Sequence, residues 1–415
     1  MAKKEKQENV RVKYARIPEL GNYLVERYKA DTERIKENGS DKRTSHILIG
    51  PPGIGKTLVC YEAGRTVAKE TGREFVEYFE TVFFDLWSNK LTAKGQAVIN
   101  DPEKYFVYQT YPLNLAEPTD LTGNPKEVPE LAVTRYMPQF WVKLSNICPG
   151  FTVLDDFLDT QREDTLSAGY RVALDKVFGF VPVHQDRVII ATANTPEYSS
   201  LSRSMPVPLA TRWEVHSVAS PTVDEWNAWM QAKYHDKYDL TAYAFLKATE
   251  DEGNLLKLPD EPETTKAYPC PRSWKELART LYFGSVDVEG TIGPEIGQKY
   301  MAFRSIKVDV DQLMRDPAQW ISLEYDSRYM VCILLSSWIS QHGDADYPQS
   351  FPLIDAMTDS SKEFFAVACQ TMKASSLTRY LMGLKIHNKK YAKFALDILK
   401  NRYEVVKARK EAGEA

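Results

Sequence analysis

Eight consecutive residues constrain this chain more than any other stretch. Gly50-Pro51-Pro52-Gly53-Ile54-Gly55-Lys56-Thr57 matches the pattern GxxxxGK[ST]. A short apolar run, His46-Ile47-Leu48-Ile49, leads into it, and a helical pattern over residues 56–70 follows until Thr71-Gly72 stops it. A strand that turns through glycines into a helix is what a phosphate cradle requires. The glycines let the backbone turn so that its N–H groups point at phosphate oxygens, and the helix start adds its positive dipole end. Lys56 is expected to reach the terminal phosphates and the Thr57 hydroxyl to ligate Mg²⁺. The expected nucleotide-binding stretch runs on through Leu58. The bland alternative is a glycine-rich turn with an incidental lysine. Such a match arises by chance in on the order of one chain in a hundred of this length, and the flanking strand and helix make it rarer.

Further strands are expected at residues 105–111, 151–154, 187–192 and 214–218, separated by helical lengths. That pattern predicts an α/β fold, a mostly parallel sheet with helices on both faces. A loop containing Pro118, Gly123 and Pro125 is expected after the strand at 105–111, and one amphipathic helix before Gly39. Beyond Pro221 helical patterns dominate. The strand at 151–154 runs into Asp155-Asp156, at the carboxyl edge where ligands bind in open parallel sheets. Asp155 is expected to hold the Mg²⁺ shell and Asp156 to polarise an attacking water; a solvated acidic turn is the competing reading. Asn194 ends the strand at 187–192 and is expected to hold the water or the γ-phosphate, against the alternative that it only turns the chain before Thr195-Pro196.

Composition narrows the classes. With 53 basic and 57 acidic side chains the net charge is −4, so the chain as a whole is not built to coat nucleic acid. Five cysteines, Cys60, Cys148, Cys270, Cys332 and Cys369, are far apart and form no CxxC pair, so neither a disulfide framework nor a zinc site is indicated. No apolar stretch follows the charged N-terminus, and runs such as residues 330–335 are too short to span a bilayer. A soluble protein in a reducing cytoplasm is expected.

The order of cradle, acidic strand and asparagine strand resembles the AAA+ superfamily of P-loop ATPases. Three segments between them resemble its MoxR-type members: Glu117-Pro118-Thr119-Asp120-Leu121-Thr122-Gly123-Asn124-Pro125, Met137-Pro138-Gln139-Phe140-Trp141, and the pre-sensor hairpin at residues 177–186. The resemblance implies a charged N-terminal helical segment (1–43), an AAA+ nucleotide-binding core (44–220), a helical lid (221–300) and a C-terminal helical region (301–415). It implies that Arg212, in Pro208-Leu209-Ala210-Thr211-Arg212-Trp213, is an arginine finger, with Arg203 a weaker candidate. It also implies that Arg272, in Pro271-Arg272-Ser273-Trp274, is the lid's sensor arginine. A guanidinium suits both roles because it is always charged and planar.

The activity so implied is Mg²⁺-dependent ATP hydrolysis in a self-assembled ring, a hexamer by kinship, coupled to remodelling or assembly of a protein complex. A client bearing a von Willebrand factor A domain is a partner implied by that kinship. Tyr136, Phe178 and Phe180 are candidates for gripping a client or for packing. One departure is Asp156, where relatives carry Glu, which points to slow turnover and keeps a nucleotide-gated scaffold as an alternative. A nucleic-acid-dependent ATPase or translocase is the other alternative. Its basic candidates are His184, Arg187 and a tail carrying Lys389, Lys390, Lys393, Lys400, Arg402 and Lys407.

Overall fold

Apolar runs with little alternation suit strands that are covered on both faces. The computed structural model, which describes residues 15–160, 162–197, 199, 202–205, 207–260, 265–391 and 397, assembles them into one sheet. Its strands are β1 (His46–Ile49), β2 (Glu74–Glu77), β3 (Tyr105–Pro112), β4 (Gly150–Asp155), β5 (Arg187–Ala193) and β6 (Glu214–Ser217). All pair in parallel, in the order β6-β1-β5-β4-β3-β2. The fold class is the expected one, a parallel sheet flanked by helices and followed by a helical region. The edge strand β2 is additional to the five read from sequence.

Side chains alternate between the two faces of each strand. On one face Tyr28 of helix α1 (Ile17–Glu37) lies against Phe106 and Phe151, and Gly64 of α2 (Lys56–Glu70) sits on Phe106, Tyr108 and Phe151. On the other, α3 (Phe140–Ile147) and α4 (Glu163–Asp175) bring Trp141, Val142, Leu166 and Val172 onto Ile47, Leu154, Ile189 and Ala191. The segment expected as a loop is instead a short helix (Pro118–Thr122) and an antiparallel hairpin that pairs Asn124–Val128 with Val133–Met137. A second hairpin pairs Val177–Phe178 with Val181–Pro182.

Under the start of β4 lies a buried arginine. Arg187 is 1% exposed and donates to Cys148 O at 3.0 Å, to Thr152 Oγ1 at 3.0 Å and to Gln109 Oε1 at 3.3 Å. With only neutral oxygens around it, burial holds its pKa down at about 10. This answers one expectation: Arg187 ties the sheet together and is not a basic contact on a hairpin surface.

The chain divides into two compact units, Met1–Ser220 and Pro221–Ala415. The described part of the second is helical, around one cluster of buried side chains that runs from Val223 to Tyr391. Helix Tyr325–Gln341 is buried on nearly every side, which accounts for its apolar run at 330–335. Helix Pro294–Arg304 spans positions 300 and 301, where the sequence reading divides lid from C-terminal region. All five cysteines are buried, and none forms a disulfide. No helix among the described residues is long and apolar enough to cross a membrane.

Gly150 is where β3, β4 and the Arg187 guanidinium crowd together. An added Cβ would meet Val107 O at 1.9 Å and Arg187 Nη2 at 2.9 Å. Gly150→Ala is therefore expected to lower the unfolding free energy by about 3 kcal/mol or more, read as a fall in the urea midpoint.

Candidate nucleotide site

Gly50 begins the loop by donating its N–H to Ala193 O at 3.2 Å, which ties the end of β1 to the end of β5. A Cβ on Gly50 would meet Val218 O at 2.5 Å, so backbone packing alone demands glycine there. Gly53 and Gly55 adopt φ of +74° and +103°, which glycine takes without strain. Gly55 is the N-cap of α2, and the first bond within the helix is Val59 N–H to Gly55 O at 3.0 Å. The N–H groups of Lys56, Thr57 and Leu58 precede that bond and point out of the helix end. A helix start of this kind suits an anion.

Lys56 is 8% exposed, and its ammonium donates to Gly50 O at 2.9 Å, Pro51 O at 2.8 Å and Asn194 Oδ1 at 3.0 Å. Asn194 is thus beside the cradle, because β5 lies next to β1. Its amide donates in turn to Asp159 Oδ2 at 3.0 Å, and Ser202 hydrogen-bonds the other Asp159 oxygen. One strand further, Thr57 Oγ1 donates to Asp155 Oδ1 at 2.9 Å, and Thr192 bonds the same oxygen. Asp155, Asn194, Lys56 and Thr57 are therefore brought together.

Asp156 follows at φ +53°, in the left-handed region that Asp and Asn tolerate best among residues with side chains. That turn sends the Phe157 N–H back to Thr192 O at 2.8 Å. The Asp156 carboxylate accepts from Asn114 Nδ2 at 3.4 Å. Asn114, Asp159, Thr192 and Ser202 were not singled out from sequence. No motif marks them, since each joins the site through a contact across 35 or more positions.

These residues fit a Mg²⁺-nucleotide. Ligands at neighbouring corners of an octahedral Mg²⁺ shell stand roughly 2.9 Å apart, given bonds of about 2.0–2.1 Å. The Thr57 and Asp155 oxygens have that spacing. The N–H groups at the helix start suit phosphate oxygens. Thr195 beside Asn194 also keeps a buried hydroxyl with no partner among the described residues.

The three candidate arginines lie on other elements. Arg212 is half-buried on the turn between the short helix Val207–Ala210 and β6. Arg203 lies 3.6 Å from Glu163 Oε1 and donates its N–H to Leu158 O. Arg272 is exposed in the first turn of helix Pro271–Phe283, in the second unit.

Of the aromatic candidates, Phe178 is 1% exposed and packs edge-on against Trp141, so it is core. Tyr136 and Phe180 are 47% and 71% exposed, with ring centroids 5.5 Å apart, and they join the two hairpins. His184 bonds Glu103 at 2.8 Å, and Lys390 bonds Asp355 and Asp359. Lys393, Lys400, Arg402 and Lys407 lie outside the described residues.

No protein-family model and no curated protein matches this chain. Its fold is similar to solved structures at low identity. A mutant of RuvB from Thermotoga maritima is 12% identical, with 76% of this chain and 88% of that one covered, at a TM-score of 0.34. NtrX from Brucella abortus in complex with ADP is 16% identical over 87% and 68%, at 0.32. C. elegans PCH-2 is 12% identical over 71% and 64%, at 0.29. The fold described above rests on the sheet order and the loop, not on these scores.

Glutamate at 156 would keep the carboxylate but strain the left-handed backbone. Asp156→Glu is expected to cost about 1 kcal/mol of stability by urea unfolding, and Asp156→Asn less than about 0.5 kcal/mol.

Proposed function

We propose that this chain is a Mg²⁺-dependent ATPase of the AAA+ superfamily, of MoxR type, completed between subunits of a ring. One observation carries the reading. Lys56, Thr57, Asp155 and Asn194 converge beside a glycine loop at the carboxyl ends of three adjacent parallel strands. An aligned ammonium, hydroxyl, carboxylate and amide is the set that phosphoryl transfer to water uses.

The roles follow from chemistry. Lys56 exchanges three neutral oxygens for phosphate oxygens, gaining charge-assisted hydrogen bonds. The N–H groups of Gly53 to Leu58 hold the phosphate chain, while Thr57 and Asp155 hold Mg²⁺. An ion held there would supply positive charge to offset the negative charge of the phosphate chain. Asp156 accepts a proton from, or orients, the attacking water, and Asn194 positions it. Asn114 and Asp159 set the orientations of those two side chains. Arg212, on a turn rather than in the cradle, serves a neighbouring subunit's nucleotide. Arg272 serves the lid.

Ring assembly, a hexamer by kinship, makes ATP state a lever on whatever the ring holds. Remodelling or assembly of a protein complex, with a von Willebrand factor A domain protein as one partner, is the expected work of a cytoplasmic MoxR-type protein. The exposed pair Tyr136 and Phe180 is the client-facing element; Phe178 is withdrawn from that role. The nucleic-acid reading loses its hairpin support, because Arg187 is buried and His184 pairs with Glu103. Slow hydrolysis by a nucleotide-gated scaffold stays attached to Asp156.

The test is the Mg²⁺-ATPase rate per protomer as protein concentration rises. It is expected to climb with concentration and to fall at least about 10³-fold in Arg212→Ala, with ATP binding kept. Lys56→Ala is expected to lose binding itself. A rate that stays flat down to the monomer overturns the shared site, and tight binding without turnover supports the scaffold.

A further inference from the structure

At the sheet edge formed by β1 and β6, two histidines and a glutamate meet. His46 is the first residue of β1, and Glu214 pairs with it in register on β6. His216, two residues on, points to the same face of β6 as Glu214. His46 Nδ1 lies 3.2 Å from His216 Nε2 and 3.9 Å from Glu214 Oε2, and His216 Nε2 lies 4.0 Å from Glu214 Oε1. One ligand atom from each residue falls within 4.8 Å of the other two. Nothing in the nucleotide chemistry uses these side chains.

We propose that His46, Glu214 and His216 bind one divalent transition-metal ion of the zinc class, with water in the remaining position. Ligands on a tetrahedral zinc stand roughly 3.3 Å apart, given bonds of about 2.0–2.1 Å. The two nitrogens already have that spacing, and the carboxylate closes on them by a small rotation. Two imidazoles and one carboxylate are a donor set that zinc takes in three-ligand sites with one open position.

The surroundings support the site. Tyr23 on α1 hydrogen-bonds Glu214, and its ring meets His216 edge-on at 5.4 Å, so the carboxylate has the outer partner that metal ligands usually have. Two cations stand nearby. Arg27 is 3.6 Å from Glu214 Oε2, but it also donates to Thr44 Oγ1 at 3.0 Å and lies 3.7 Å from Asp31, which can retain it. Lys176 is buried, and its ammonium hydrogen-bonds Ser45 Oγ, one residue before His46. Exposure graded from 2% at His46 through 12% at His216 to 31% at Glu214 leaves an entry path on the carboxylate side. An ion here would staple the edge strand β6 to β1 just after the turn that carries Arg212.

The competing arrangement is a metal-free hydrogen bond between two neutral histidines at 3.2 Å. The experiment separates them. Full-length chain without an affinity tag, stripped with a chelator, is titrated with Co²⁺ and then Zn²⁺. One Co²⁺ per chain is expected, with the strong visible band of a four-coordinate ion that Zn²⁺ bleaches, and Zn²⁺ should raise the melting temperature. His216→Ala and Glu214→Gln, both away from the deepest core, are expected to weaken binding by about 100-fold or more, and Tyr23→Phe by about 10-fold. Asp155→Ala should leave it unchanged. The proposal is overturned by no stoichiometric binding, by binding that survives in folded His216→Ala, or by binding lost with Asp155→Ala. The last outcome would assign the ion to the nucleotide site. None of these readouts depends on ATP turnover, so the two proposals stand or fall separately.

Discussion

A buried ammonium must be surrounded by oxygen, because an unpaired charge away from water costs several kcal/mol. Lys56 is such a charge, and much of the first unit is arranged to meet that need. Two of its partners are carbonyls of the residues that open the loop, which brings the chain back over its own start. That path requires positive φ at Gly53 and Gly55. The third partner, Asn194, is within reach only because β5 lies beside β1 in the sheet. The strand order and the loop are thus tied together through one side chain. These three oxygens are neutral.

The sheet was readable because its central strands are buried on both faces, and such strands appear in sequence as unbroken apolar runs. β1, β4 and β5 are of that kind. Elements without a buried face leave no such trace. The hairpin pairing Asn124–Val128 with Val133–Met137 is almost wholly exposed and contains Pro125, so it read as a loop. β2 is a four-residue edge strand with glutamate at each end, too short to establish a period. Phe178 and Phe180 show a related limit. Two residues apart in one hairpin, they differ from 1% to 71% exposed, and only the packing of Trp141 decides which is core.

The motif residues of the site were readable for a different reason: phosphate chemistry fixes their types and spacing within a few positions. Their supporting partners were not. Asp159 orients Asn194 and is itself held by Ser202, but nothing local about an aspartate after Leu158 distinguishes it from a solvated one. Arg187 is the extreme case. A basic residue heading a strand reads as surface, yet this one is satisfied entirely by neutral oxygens from β3, β4 and the segment after α3, and so is buried. Long-range satisfaction of a polar group is a property of the fold, and single-chain patterns do not carry it.

Asp156 shows how backbone and chemistry can compete for one position. The turn after β4 must return the Phe157 N–H to β5, which it does by placing residue 156 in the left-handed region. Glycine, asparagine and aspartate meet that demand most easily, and of these only aspartate carries an acid. Glutamate would lengthen the acidic side chain at the expense of backbone strain. The shorter acid is therefore the choice expected where the turn is fixed by its hydrogen bond to Thr192. Its position is steadied by Asn114, just beyond the end of the neighbouring strand β3. Residue 156 is thus fixed by the conformation of its own backbone as much as by the acid it carries.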